Sequence, residues 1–179
     1  MNETQGSHRF LKDKTFDEFF REKTKELTVT IFNSKTYEEN QKYRKNNNIK
    51  CIYSCSHPLT SIENDTGVYV LEADVSMNKI RGIGYIKLNN NKHYCKIIYE
   101  NSNYNNYTYR GNYHIQREDM NEHEELIMKV LDQLCFYGKS HLKRYSGIKR
   151  FPKKWIYNMS EKTDVLDFIT QMFNRRLSN

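Results

Sequence analysis

The stretch GVYVLEADVSMNKIRGIGYIK, residues 67–87, carries the reading of the fold. Two runs rich in Val, Ile and Tyr flank the link VSMNKI, which is short enough for an antiparallel hairpin. The second run holds a GxG, Gly82 and Gly84. It lacks the third glycine of a dinucleotide-binding fingerprint and lies inside a strand pattern, not at a strand-to-helix turn. The glycines therefore read as a place where a strand bulges or a neighbouring backbone approaches closely, as small barrels need where strands bend.

Working outward, LTVTIF (27–32), IKCIYSCS (49–56), HYCKIIYE (93–100) and NYTYRGNYHI (106–115) are further short strand patterns, separated by Asn, Asp, Gly and Ser. Helical spacing appears on both sides of them. TFDEFFREKTKEL (15–27) opens on a capping box, Thr15 with Glu18, and places Phe16, Phe19, Phe20 and Leu27 along one stripe. SKTYEENQKYRKNN (34–47) offers Thr36 and Glu39 as a capping box, with Tyr37 and Tyr43 as anchors. NEHEELIMKVLDQLCFYG (121–138) has Asn121 or Asp119 as N-cap, Leu126, Ile127, Val130, Leu131 and Leu134 on one face, and Gly138 where a helix-ending glycine belongs. SEKTDVLDFITQMFNRRL (160–177) is a last amphipathic helix with Val165, Leu166, Ile169, Met172, Phe173 and Leu177 inward. Residues 1–13 are polar and unpatterned, a flexible arm, and 14–179 read as a single α+β domain. Its expected centre is a small, curved, mostly antiparallel sheet of five or six strands flanked by N- and C-terminal helices. No βαβ alternation is present, so no doubly wound sheet is implied.

A chain of 179 residues can bury a core, but only 37% of it is apolar, so much of that work falls to the 14 Tyr and 9 Phe. The N-terminus has no apolar signal-peptide region and no run approaches the ~18 apolar residues of a membrane span, which points to the cytoplasm, the nucleus or a virion and to no membrane partner. Cys51, Cys55, Cys95 and Cys135 read as reduced thiols. With His57 and His93 their spacing matches no zinc knuckle, so no metal and no cofactor are implied. No GxSxG, HExxH or paired-carboxylate signature appears, and no catalytic residue is assigned.

The charge is unevenly placed. GKSHLKRYSGIKRFPKKW (138–155) carries Lys139, Lys143, Arg144, Lys149, Arg150, Lys153 and Lys154 with no acid among them, and these seven cations equal the net charge of the whole chain, +7. Gly138, Gly147 and Pro152 prevent one continuous helix, so the segment reads as a shaped basic loop. Such a loop can present cations and backbone N–H groups to one phosphate path, with His141 as a phosphate or backbone contact. Tyr145, Phe151 and Trp155 interleave it with rings. A second cluster, Tyr99, Tyr104, Tyr107, Tyr109 and Tyr113 beside Arg110, reads either as the cover of a thin sheet or as a stacking surface for bases.

The hairpin of residues 67–87, above all KIRGIGYI, resembles the central hairpin of PUA-like domains, the superfamily of the ASCH, EVE and YTH modules. TYEENQKYRKNNNIKCIYSC, YNNYTYRGNYHI and FYGKSHLKRYSGIKRFP also resemble uncharacterised proteins of large nucleocytoplasmic DNA viruses. The first resemblance implies a small β-barrel that binds RNA or DNA, in some branches reading a modified base in an aromatic-lined pocket. The resulting expectation is a nucleic-acid-binding module. Lys139, Lys143, Arg144, Lys149, Arg150, Lys153 and Lys154 would follow the phosphate backbone, and Tyr53, Tyr107 or Tyr109 would stack on a base. The alternative is a non-enzymatic virion or interaction protein whose basic loop docks an acidic protein partner.

Overall fold

The computed structural model of the chain describes residues 14–89, 96–143 and 147–178. Helices α1 (Phe16–Arg21) and α2 (Ser34–Asn46) bracket strand β1 (Lys25–Phe32), and β2 (Cys51–Cys55), β3 (Gly67–Asp74), β4 (Lys79–Lys87), β5 (Tyr107–Gly111) and β6 (Tyr113–Gln116) follow. Then come α3 (Glu122–Phe136), the short strand β7 (Ile148–Arg150), α4 (Lys153–Met159) and α5 (Val165–Leu177). The fold is α+β.

Five strands form one mixed sheet in the order β6-β4-β3-β1-β7, and β2 pairs with β5 in a second, two-stranded sheet. β3 and β4 form the expected antiparallel hairpin, with a register shift between Ile80 and Ile83 that places a bulge at Gly82, while Gly84 pairs in regular register with Val70. One pairing departs from the expected pattern: β1 and β3 run parallel, from Lys25 against Gly67 to Phe32 against Asp74. The crossover between them consists of α2, β2 and the loop after it. A polar helix and an intervening strand disguise the strand–helix–strand order of this crossover in the sequence.

The central strand β3 is buried along its whole length, because both faces of the large sheet are covered. On one face Leu27, Val29, Tyr69, Leu71 and Ile83 pack against the inward stripes of α1, α3, α4 and α5, among them Phe19, Met128, Leu131, Ile156, Ile169 and Met172. On the other, Phe32, Val68, Val70 and Ile86 meet Cys51, Ile52, Tyr53, Leu59 and Tyr109, with Tyr37 and Tyr43 of α2 at the edge. Local signals place most helix ends. Thr15 and Glu18 form the reciprocal capping box, Asn121 caps α3 with Glu124, and Gly138 follows α3 at φ +84. Helix α2 begins earlier than expected, because Asn33, not Thr36, is its cap.

Three further expectations are corrected. Lys96–Glu100 is not a strand, while residues 90–95 lie outside the described residues. NYTYRGNYHI is not one strand but two, β5 and β6, which bend at Asn112 from the small sheet to the large one. The basic segment is not a loop throughout: it contains β7, paired antiparallel to β1, and the start of α4.

Gly82 and Gly84 have a definite steric role. A Cβ on Gly84 would lie 1.9 Å from the Tyr53 hydroxyl, and one on Gly82 would lie 2.9 Å from the His114 ring. The clearance admits a polar group into the second core. Glu72 Oε1 accepts from Tyr53 Oη at 2.7 Å and Arg44 Nη1 at 3.2 Å, and His114 Nε2 lies 2.9 Å away. Burial would raise the Glu72 pKa, but His114, Arg44 and Tyr53 outweigh it and hold the carboxyl below the usual range.

Candidate nucleic-acid interface

A single residue, Asn33, separates the end of β1 from the start of α2. Its Oδ1 accepts from Thr36 N at 2.9 Å, and its own N–H donates to Thr36 Oγ1 at 3.0 Å. This tight cap makes Thr30, Ile31, Phe32, Asn33 and Thr36 one wall of a cavity of about 220 Å³. Ser54 of β2 contributes to the wall and is tied to β5 through Tyr107 O and Thr108 Oγ1. Val75 closes the cavity from the end of β3.

Two tyrosines complete the aromatic side. Asn105 Oδ1 accepts from the N–H groups of Ile98 and Tyr99, and its amide donates back to Tyr99 O, which locks the loop carrying both rings. Tyr99 Oη accepts from Asn40 Nδ2 at 3.1 Å, and burial pushes its pKa up, so the hydroxyl stays protonated. Tyr104 meets it edge-on at 6.4 Å. The remaining lining residues, Lys143 and Gly147, come from the basic segment. Gly147 sits at φ +67, and a Cβ added there would lie 2.9 Å from Cys55 Cβ, so a side chain would be both strained and crowded.

The segment's cations fall into two groups. Lys139, Lys149 and Lys154 are exposed and have no carboxylate partner among the described residues, and Lys143 sits half-buried at the cavity with its ammonium 5.7 Å from the Tyr137 ring centre. Arg150 and Lys153 instead share Glu26, at 3.2 and 3.7 Å, and Lys153 also lies over the Phe20 ring. Those two brace β7 and α4 against β1 and share a single carboxylate between them. Arg144 lies outside the described residues. His141 is half-buried, with Nδ1 enclosed and without a hydrogen-bond partner.

The expected stacking tyrosines are corrected. Tyr53 is fully buried and bonded to Glu72, and Tyr109 is buried with its hydroxyl accepting from Leu59 N, so neither ring has a face open to a base. Tyr107 is half-buried against the second core, and Arg110 is exposed on β5. The rings that share a cavity with the basic segment are Tyr104, half-buried, and Tyr99, which is as buried as Tyr109 but lines the cavity. The strand pattern HYCKIIYE disguises Tyr99, because both rings belong to the loop that Asn105 holds. Among the described residues no group of three or more His, Cys, Asp or Glu could hold a metal ion. Burial pushes the Cys51 thiol up to about 12, and it donates to Tyr85 O and Tyr113 O.

No family model, curated protein or solved structure matches the chain. Among the described residues no helix is long and apolar enough to cross a membrane.

Proposed function

We propose that the protein binds a nucleic-acid strand, with the basic segment on the phosphates and one base in the cavity at the end of β1. The observation that carries this reading is the junction itself: Lys143 and Gly147 of the acid-free segment line the same cavity as Tyr99 and Tyr104. At about 220 Å³ the cavity is smaller than the roughly 300–1,000 Å³ of sites for drug-sized ligands, which favours a single flat ring system over an extended molecule. The polar residues Thr30, Asn33, Thr36 and Ser54 in the lining suit hydrogen bonding to a base rim. A PUA-like barrel is part of the same proposal. Its supports are the packing of β2 against both β4 and β7, and the bend at Asn112 that hands one strand from the small sheet to the large.

The test is fluorescence anisotropy with labelled single- and double-stranded RNA and DNA over a range of salt. The wild type is compared with a variant in which Lys139, Lys143, Lys149 and Lys154 are alanine, and with Tyr104→Ala. Four phosphate contacts give a log K against log salt slope of about −3 to −4, and the lysine variant should flatten it. Tyr104→Ala should weaken binding while leaving the slope alone. Absence of micromolar binding to all four probes at low salt would refute the reading and leave the segment as a docking element for an acidic protein.

A further inference from the structure

Three aliphatic hydroxyls line the cavity at the end of β1, those of Thr30, Thr36 and Ser54, and two of them are already committed. Thr36 Oγ1 belongs to the cap of α2, where it accepts from Asn33 N at 3.0 Å and lies 3.1 Å from Asn33 Oδ1. Ser54 Oγ donates to Tyr107 O at 3.1 Å and pairs with Thr108 Oγ1 at 3.0 Å. Thr30 differs: the residue is 3% exposed, and its hydroxyl has no hydrogen-bond partner among the described residues. Thr28, two positions back on the same face of β1, donates to Tyr69 O at 3.0 Å. Valine would fill the Thr30 position with the same shape and no polar group to bury. A hydroxyl kept free in a buried wall of a cavity therefore marks a group that faces a ligand.

The rest of the lining narrows which base edge fits. Asn33 turns Oδ1 to Thr36 N at 2.9 Å, so the free end of its amide is the donor Nδ2. The carbonyls of Phe32 and Asn33 are taken by the N–H groups of Val75 and Tyr37. No Asp or Glu lines the cavity, and Lys143 adds further donors. Adenine, cytosine and guanine each carry an exocyclic amino group, which brings two N–H donors into this donor-rich lining. Thr30 can accept one of them and leaves the other unpaired. Uracil and thymine carry no amino group and present carbonyl, N–H and carbonyl in a row. Thr30 can donate or accept and Asn33 Nδ2 donates, which suits that edge. A volume of about 220 Å³ also favours a single ring over a purine.

We infer that the cavity takes an unpaired uracil or thymine, and that Thr30 is the residue that distinguishes it from the amino-bearing bases. The inference rests on the nucleic-acid reading above. A base can enter a recessed cavity only when it is out of the stack, so single strands are the substrate class.

The experiment is fluorescence anisotropy with labelled strands of about ten uridines, thymidines, cytidines or adenosines. Wild type is compared with Thr30→Val, Asn33→Asp and Tyr104→Ala. Uridine and thymidine strands should bind the wild type about tenfold tighter or more than the other two. Thr30→Val should bring that ratio below about threefold by weakening uridine and thymidine, with circular dichroism and melting as in the wild type. Adenosine strands stack on themselves and lose affinity without any help from the cavity, and the change in ratio on Thr30→Val removes that contribution. Asn33→Asp keeps a capping oxygen for Thr36 N but exchanges the free donor for an acceptor, so the ratio should move toward cytidine and adenosine. Tyr104→Ala should weaken all four strands alike, because stacking ignores the base edge. Equal binding of the four strands, or a uridine preference that survives Thr30→Val, overturns the inference while the nucleic-acid reading stands. Failure of every strand to bind removes both.

Discussion

Replacing Glu124 by Gln tests how the C-terminal helix is fastened to the rest of the molecule. Glu124 sits in the first turn of α3 with none of its side chain exposed, and it is surrounded by donors. Arg176 forks onto both oxygens, with Nη1 to Oε1 at 2.9 Å and Nη2 to Oε2 at 2.7 Å. Arg175 Nη2 donates to Oε1 at 2.8 Å and Asn121 N to Oε2 at 3.1 Å. The Arg176 bonds, then those of Arg175 and Asn121, overcome the cost of burial and bring the carboxyl from 4.5 to about 2. At 1.36 kcal/mol per unit that displacement corresponds to about 3 kcal/mol. The arginines are themselves 49 and 30% exposed, and water screens them, which brings the expected contribution to about 2 kcal/mol.

The sign follows from linkage: a carboxyl depressed in the folded state stabilises fully above its unfolded value and loses that stabilisation as pH falls toward its folded one. For Glu124 the window runs from about pH 4.5 down to about 2. Urea unfolding of wild type and Glu124→Gln at pH 7, 5, 4 and 3 measures the difference, and acids common to both proteins cancel. The variant should be about 2 kcal/mol less stable at pH 7 and 5, and the gap should narrow at 4 and 3. At pH 7 that is a melting point lower by about 4–8 °C for a chain of this size. A gap that stays constant from pH 7 to 3, or is under about 0.5 kcal/mol throughout, would show that the paired arginines do not hold α5 through this charge.

Gly84→Ala should destabilise by about 3 kcal/mol or more, since its Cβ overpacks the site and drives Tyr53 Oη from Glu72; denaturant midpoints would read this. Tyr53→Phe alone should cost about 1.5–3 kcal/mol, and in that background Gly84→Ala should cost less than in the wild type, because the atom it strikes is gone. Additive losses in that double-mutant cycle would disprove the steric account. Arg150→Ala and Lys153→Ala should lower stability yet leave the salt slope of nucleic-acid binding where it was, because both side chains are drawn inward onto Glu26; a flatter slope would place them on the phosphate path.

What the sequence determined by itself was local. Thr15 with Glu18, and Asn121 with Glu124, are three residues apart, and Gly138 follows α3 directly, so caps and helix ends could be read from spacing alone. The hairpin at residues 67–87 and its bulge were legible for the same reason, and so was the inward stripe of α5 from Val165 to Phe173, whereas Leu177, and Leu126 and Val130 of α3, are exposed. The parallel register of β1 on β3 was not, because hydrophobic pattern states which face of a strand is buried and not which strand lies beside it. Nor could composition separate exposed cations from braced ones: Arg150 and Lys153 belong to the basic segment in sequence but to Glu26 in space. The tyrosines divide in the same way. Tyr53 serves a buried carboxylate across the sheet, whereas Tyr99 and Tyr104 line the cavity beside Lys143. Contacts between residues far apart in the chain exist only once the sheet has formed, and they decide which side chains remain available to a partner.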